Sequence, residues 1–194
     1  MVEKLIRHIQ GIVALSSEEI DIIKSLVKER EVPRKKFLHQ AGEIPYYSAF
    51  VVEGCLRSYT VDRNGFEHIL QFAPENWWIS DMYSVVKNQP SILYIDALID
   101  SKVLLLSRSC QLSLFDSIPK LERYFRILTE NALASSNQRT INYLSLSAKE
   151  RYERFCEMYP SLIHTIPQKS VASYIGITPE FLSKLRAERI KANS

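Results

Sequence analysis

Residues 167–185 read PQKSVASYIGITPEFLSKL, and the order of residue types in this stretch decides how the end of the chain is understood. Counted from Gln168 as the first position, Val171, Ile175, Ile177, Leu182 and Leu185 fall at the fourth, eighth, tenth, fifteenth and eighteenth places. That spacing predicts two short helices that cross steeply with their apolar residues facing each other. Ala172, at the fifth place, lets the helices approach, and Gly176, at the ninth, tolerates the positive φ of a tight turn. Thr178 is placed to cap the second helix, Pro179 suits its first position, and Glu180 lies in its electropositive first turn. The full pattern is that of a helix-turn-helix. The plainer reading is a helical hairpin that touches no DNA.

In a helix-turn-helix the second helix lies in the major groove and presents its N-terminal residues to base edges. Here the side opposite Leu182 and Leu185 carries Glu180, Ser183, Lys184 and Ala187. A carboxylate at 180 suits a cytosine amino group, and an ammonium at 184 suits guanine acceptors or a phosphate. Gln168, Lys169 and Ser170 open the first helix, where backbone contacts are made. Arg186, Arg189 and Lys191 extend the positive charge.

Charge placement agrees with this reading. The net charge of +3 is small, but from Ala148 onward eight Lys or Arg face five Glu, which accounts for all of it. The preceding residues balance, 17 against 17. A nucleic-acid-facing terminal domain requires that asymmetry. Cys55, Cys110 and Cys156 are odd in number and far apart, which argues against a disulfide framework or a structural zinc and for a reducing, cytoplasmic compartment. The N-terminal stretch has no signal-peptide core, and no apolar run is long enough to span a membrane.

Upstream, the pattern changes twice. Ser16 and Glu19 form a capping box, with Leu15 and Ile20 as a hydrophobic staple, which predicts a helix through Val27. From about Val32 to Leu106, short β-rich runs such as AFVV (49–52), CLRSYTV (55–61) and KVLLL (102–106) alternate with turn residues. This predicts an antiparallel sandwich or barrel, with Glu53-Gly54 and Asn64-Gly65 as successive hairpins. No Gly or Pro occurs between Leu121 and Tyr159, so a long helix is expected from about 120 to 144. Its Leu121, Phe125, Leu128 and Ala132 follow a four-three seam, read here as a dimer contact; the same residues would also suit packing on the helix's own β domain. A second capping box, Ser147 to Glu150, opens the next helix. The expected organisation is therefore 1–118 as a β domain with N-terminal helices, 119–146 as the long helix, and 147–194 as a small helical domain.

A hairpin-rich β domain, a long helix and a terminal helix-turn-helix together resemble the Crp/Fnr superfamily of transcription regulators. The residues carrying the resemblance are VPRKKFLHQAGE (32–43), FVVEGCLRSYTVDRNGFEHILQF (50–72), IDALIDSKVLLLSR (95–108) and IPQKSVASYIGITPEFLSKLR (166–186). The resemblance implies an α+β chain with a cyclic-nucleotide-binding-like β-roll, a homodimer joined along the long helix, and a near-palindromic double-stranded operator. It also implies contact with, or obstruction of, RNA polymerase.

The nucleotide cassette departs from the family pattern. On alignment, Asn76 and Ser80 replace its glycines, Asp81 stands for its Glu and Ser91 for its Arg, and Lys87 is the only basic residue between Glu75 and Asp100. A cyclic phosphate buried without a cation or close amides bears a large desolvation cost, so a response to cyclic AMP is not expected. Trp77, Trp78, Tyr83 and Tyr94, with Asp81 and Ser91, form a candidate pocket for some other small effector. No cofactor or metal is implied: the cysteines do not cluster as in iron–sulfur sensors, and His39 and His68 lack a ligand pattern. A cupin-type enzyme would need an HxH pair with a following Glu, which is missing, and no catalytic motif appears. The competing class is a ligand-sensing or protein-interaction module that no longer binds DNA.

Overall fold

The structure, a computed structural model, describes residues 1–163 and 165–192, with side chains through Glu188. The chain divides into two compact units. One comprises Met1–Thr60 with Leu70–Glu130, the other Val61–Ile69 with Asn131–Ser194.

Two four-stranded sheets are built from β1 (Lys28–Val32), β2 (Phe37–His39), β3 (Tyr47–Glu53), β4 (Cys55–Val61), β5 (Glu67–Pro74), β6 (Trp78–Ile79), β7 (Tyr94–Ala97) and β8 (Ser101–Ser107). Their orders are β1-β8-β3-β6 and β2-β7-β4-β5. One of the two tight links differs from the sequence expectation. Asn64-Gly65 does close a hairpin between neighbouring strands, held by Asp62 N–H to Phe66 O at 3.0 Å. Glu53-Gly54 is instead a corner, because β3 and β4 lie in different sheets. Gly54 has φ +94, and a Cβ there would stand 2.6 Å from the Asp100 carbonyl oxygen, so only glycine lets the chain turn against the β7–β8 link.

The unbroken apolar runs in β3 and β8 have a packing reason. Ala49, Val51 and Val103 point into a core between the sheets with Val32, Leu38, Leu56, Ile79 and Ile95. Phe50, Val52, Leu104 and Leu106 point the other way, into a second core formed with helices. Strands buried on both faces cannot show polar alternation. The helices of that second core are α1 (Val2–Gln10), α2 (Ser17–Leu26), α4 (Arg108–Ser117) and the start of α5 (Lys120–Ser145), with α3 (Met82–Lys87) after β6. The capping box of α2 is present: Glu19 N–H donates to Ser16 Oγ at 3.3 Å, and Ser16 N–H to Glu19 Oε2 at 2.7 Å. Leu15 and Ile20 both pack on the helix-side core.

A polar network at that core sits on Tyr124 of α5. Trp78 Nε1–H donates to its hydroxyl at 2.9 Å, and the hydroxyl is 2.8 Å from His8 Nδ1. Burial, partly offset by the Trp78 bond, pushes the Tyr124 phenol up, so it stays protonated and can donate to His8.

Candidate nucleic-acid interface

The second unit contains α6 (Ala148–Met158), α7 (Gln168–Ile175) and α8 (Pro179–Ala192). The Ser147–Glu150 capping box that opens α6 forms as expected, with Ser147 N–H to Glu150 Oε2 at 2.8 Å and Glu150 N–H to Ser147 Oγ at 3.3 Å. Its Phe155, with Tyr159 and Tyr174, makes an aromatic triad with ring centroids 5.3 to 5.7 Å apart. Tyr152, Leu162 and Ile166 are buried with them.

Helix α7 ends in a Schellman turn. Ile177 N–H donates to Ala172 O at 3.0 Å and Gly176 N–H to Ser173 O at 3.3 Å, with Gly176 at φ +72 and ψ 45. A Cβ at Gly176 would also lie 2.5 Å from the Tyr143 ring. Two independent reasons, backbone and space, therefore require glycine. Thr178 then caps α8 by accepting from Phe181 N–H at 3.2 Å, and Pro179 stands first in the helix, where its missing N–H costs nothing.

The turn joins two helices whose contact is made by the expected residues. Val171, Ala172, Ile175, Leu182 and Leu185 are all buried, Leu182 at 0% exposed, while Ile177, the remaining residue of the expected five, is only half-buried. Side chains elsewhere in the unit hold α7. Ser173 Oγ donates to Glu67 O at 2.5 Å and accepts from Ile69 N–H at 3.1 Å. Arg139 of α5 donates to Ile69 O and Tyr174 O while its guanidinium lies 4.0 Å over the Tyr174 ring. Arg151 of α6 donates to Ile175 O at 2.9 Å and Leu146 O at 2.7 Å, meeting the orphan carbonyls at two helix ends. These basic residues are structural fasteners, a role their sequence positions did not announce.

What remains outward is the opposite side of α8. Glu180, Ser183, Lys184 and Ala187 are exposed, at i, i+3, i+4 and i+7 of one helical face. Thr178 is exposed and Arg186 half-buried. Gln168 and Lys169 are exposed at the start of α7, but Ser170 is 4% exposed. The first turn of α7 rolls the Ser170 side chain toward the interior with Val171. The side chains of Arg189 and Lys191 lie outside the described residues.

The six residues of the candidate effector pocket do not share one lining. Trp78 belongs to the helix-side core, packed on Phe50 and Phe125 at 5.5 and 5.6 Å between ring centroids. Trp77 and Tyr83 are exposed. Tyr94 lies in the other sheet, stacked on Tyr59 at 5.3 Å, and Tyr59 in turn sits under the Arg57 guanidinium at 4.3 Å. Arg57 forks onto Asp96 through Nε at 2.8 Å and Nη2 at 3.0 Å, both side chains nearly buried. Asp81 and Ser91 meet directly: Ser91 Oγ–H donates to Asp81 Oδ2 at 2.6 Å, and Ser84 N–H to Asp81 Oδ1 at 3.1 Å. Burial works against the Asp81 charge, but the hydrogen bonds from Ser91 and Ser84 outweigh it and hold its carboxyl below the ordinary range. Asp81 and Ser91 are thus closed on each other, whereas Ser80 Oγ, at another cassette position, is buried without a hydrogen-bond partner among the described residues.

In the long helix, the expected seam packs for the most part on the chain's own β domain. Leu121 is 1% exposed inside the helix-side core, and Phe125 and Leu128 pack against that core. They hold α5 to its own chain, and only Ala132 of the four is exposed. The large apolar residues that α5 leaves exposed are Leu133, Ile141, Tyr143 and Leu144, at 61, 54, 59 and 80%.

Among solved structures, the chain is similar over most of its length to Crp/Fnr regulators. FixK2 from Bradyrhizobium japonicum matches with a TM-score of 0.76 at 20% identity, over 86% of each chain. The c-di-GMP-responsive global regulator CLP of Xanthomonas campestris matches with 0.70 at 11% identity, over 92% of this chain and 93% of that one. A transcriptional regulator of the Crp/Fnr family from Eubacterium rectale matches with 0.68 at 15%, over 91% and 85%. No family model and no curated protein matches the sequence. The chain thus has the α+β fold of the Crp/Fnr regulators, with antiparallel sheets and a long helix. Among the described residues, no helix is long and apolar enough to cross a membrane.

Proposed function

We propose that the protein is a dimeric, DNA-binding transcription regulator of Crp/Fnr type, with α7 and α8 as its helix-turn-helix. The observation that carries this reading is the outward face of α8. Its Glu180, Ser183 and Lys184 make no hydrogen bond or ion pair with the described residues, yet the helix beneath them is fixed by buried Leu182 and Leu185 and by the Thr178 cap. Polar side chains held on a rigid frame without internal partners are what base reading requires. Gln168 and Lys169 then take phosphates at the start of α7, with Thr178 and Arg186 beside the groove. Lysine at 184 is a point donor and discriminates bases less sharply than a forked guanidinium.

Dimerisation runs along the outward face of α5 at Leu133, Ile141 and Leu144, and two α8 helices related by its two-fold axis call for a near-palindromic operator. In place of a phosphate-binding arginine and glycines the cassette holds the Asp81–Ser91 pair, so cyclic AMP is not the effector. Regulation follows from contact with, or obstruction of, RNA polymerase at such sites.

Selection of genomic DNA fragments by the purified protein tests the reading. Recovery of a two-fold symmetric site with steep salt dependence is expected. Absence of any salt-dependent enrichment, with candidate metabolites present or absent, would replace it with a protein-interaction module.

A further inference from the structure

The first unit buries a titratable group that the reading above does not use. His39 ends β2, opposite Ile95 of β7, just past a register shift in that strand pair. It is 5% exposed. Its Nδ1 lies 3.4 Å from Glu43 Oε2, and its Nε2 has no hydrogen-bond partner among the described residues. A buried imidazole with one nitrogen unsatisfied is costly and calls for a reason.

The surrounding charges supply one. From the turn that follows β2, Glu43 faces the ring; its carboxylate also accepts from Gln40 N–H at 2.9 Å. From the N-terminus of α3, Asp81 adds a second negative charge close enough to favour a cationic ring. On the neighbouring strands the remaining charge is already answered, since both Asp96 oxygens are taken by Arg57. The ring is thus flanked by two carboxylates and has one nitrogen free to accept a proton. Burial nevertheless outweighs them and keeps His39 neutral below its ordinary titration range.

We propose that His39 is a proton-responsive switch of the β-roll, coupling solvent acidity to the Gln40–Glu43 turn and to the N-cap of α3. With the ring hydrogen on Nδ1, the nitrogen 3.4 Å from Glu43 Oε2, the neutral ring keeps its lone pair on Nε2. Acidification adds one proton from solvent to that nitrogen and breaks no covalent bond. The new Nε2–H then needs an acceptor. The nearby Asp81 carboxylate is engaged by Ser84 N–H on one oxygen and Ser91 Oγ–H on the other. Ser91 is itself tied to the turn through Gly42 N–H to Ser91 O at 2.8 Å and Ser91 N–H to Glu43 O at 2.9 Å. Satisfying the protonated ring therefore shifts the turn, Ser91 and the helix cap together.

The test is an NMR titration of the full chain, following histidine ring signals and backbone amides from pH 8 downward. His39 is expected to titrate below 6.5, its ordinary value. The amides of Gln40, Gly42, Ser84 and Ser91 should move with the same midpoint. His39→Gln should abolish those amide shifts while the His8 ring titrates as before, and Glu43→Gln should lower the midpoint further. Melting curves at pH 8 establish that each variant is folded. The proposal is overturned if His39 stays neutral until the protein unfolds. It is equally overturned if the amide titrations persist in folded His39→Gln. Neither readout involves DNA, so failure here is distinct from failure of the regulator reading.

Discussion

The cassette region of the β-roll and the outward face of α8 carry similar residue types, a carboxylate and a serine each, yet they are arranged in opposite ways. Asp81 and Ser91 bond to each other inside the first unit. Glu180 and Ser183 stand exposed beside Lys184 on a helix whose underside is locked. A polar group satisfied internally gains little by exchanging its partner for a ligand, because the old bond must break first. A polar group that is rigidly positioned but has no internal partner bears no such cost. The contrast sets a polar pair closed on itself against three polar side chains that have no hydrogen-bond or ion-pair partner among the described residues.

Substitutions can break that contrast, beginning with the largest effect. Removing one member of the nearly buried Arg57–Asp96 fork leaves an uncompensated charge, so Arg57→Ala should cost about 3–5 kcal/mol in chemical denaturation. Replacing both by apolar residues should recover most of the loss. Leu182→Ala, at the centre of the α7–α8 contact, should cost about 2–5 kcal/mol and abolish DNA binding by loosening the frame. By contrast, Lys184→Ala should leave stability within about 0.5 kcal/mol while weakening operator binding by about 1–3 kcal/mol. Thr178→Ala removes the cap of α8 and should cost about 1 kcal/mol, intermediate in both readouts.

The smallest effect expected is that of pH. Burial lowers the affinity of His8 for a proton in the folded state, and burial outweighs the carboxylates at His39. Between their ordinary value of 6.5 and their lowered folded values, the unfolded chain binds more protons than the folded one. Stability should therefore be fully present above 6.5 and decline as pH falls below it. Thermal melting between pH 8 and 5 checks this, and a rise in stability on acidification would contradict it.

Local signals were legible in the sequence. Both capping boxes form, because Ser16 with Glu19 and Ser147 with Glu150 are separated by only two residues of helix. The α7–α8 contact was legible for the same reason: every residue in it lies within eighteen positions. Errors arose where the partner is distant in sequence. A seam at Leu121, Phe125 and Leu128 specifies an apolar face but not what covers it, and the β-roll's helix-side core does. Trp78 looked like a pocket aromatic because its hydrogen-bond partner, Tyr124, lies 46 residues away. The Glu53-Gly54 turn was read as a hairpin because turn chemistry does not distinguish a link within a sheet from a corner between two. The burial of the Ser170 side chain was not legible either, since a helix start alone does not fix which side faces the core. The unsatisfied nitrogen of His39 has no sequence signature at all.

The most direct test of the central claim is the operator affinity of Lys184→Ala across a salt series, with melting temperature recorded on the same samples. The account predicts about fivefold or greater weakening, a salt slope reduced by about one if the contact is to phosphate, and an unchanged melting temperature. Operator affinity equal to that of the unsubstituted protein, at unchanged stability, would contradict it and remove the outward face of α8 from DNA recognition.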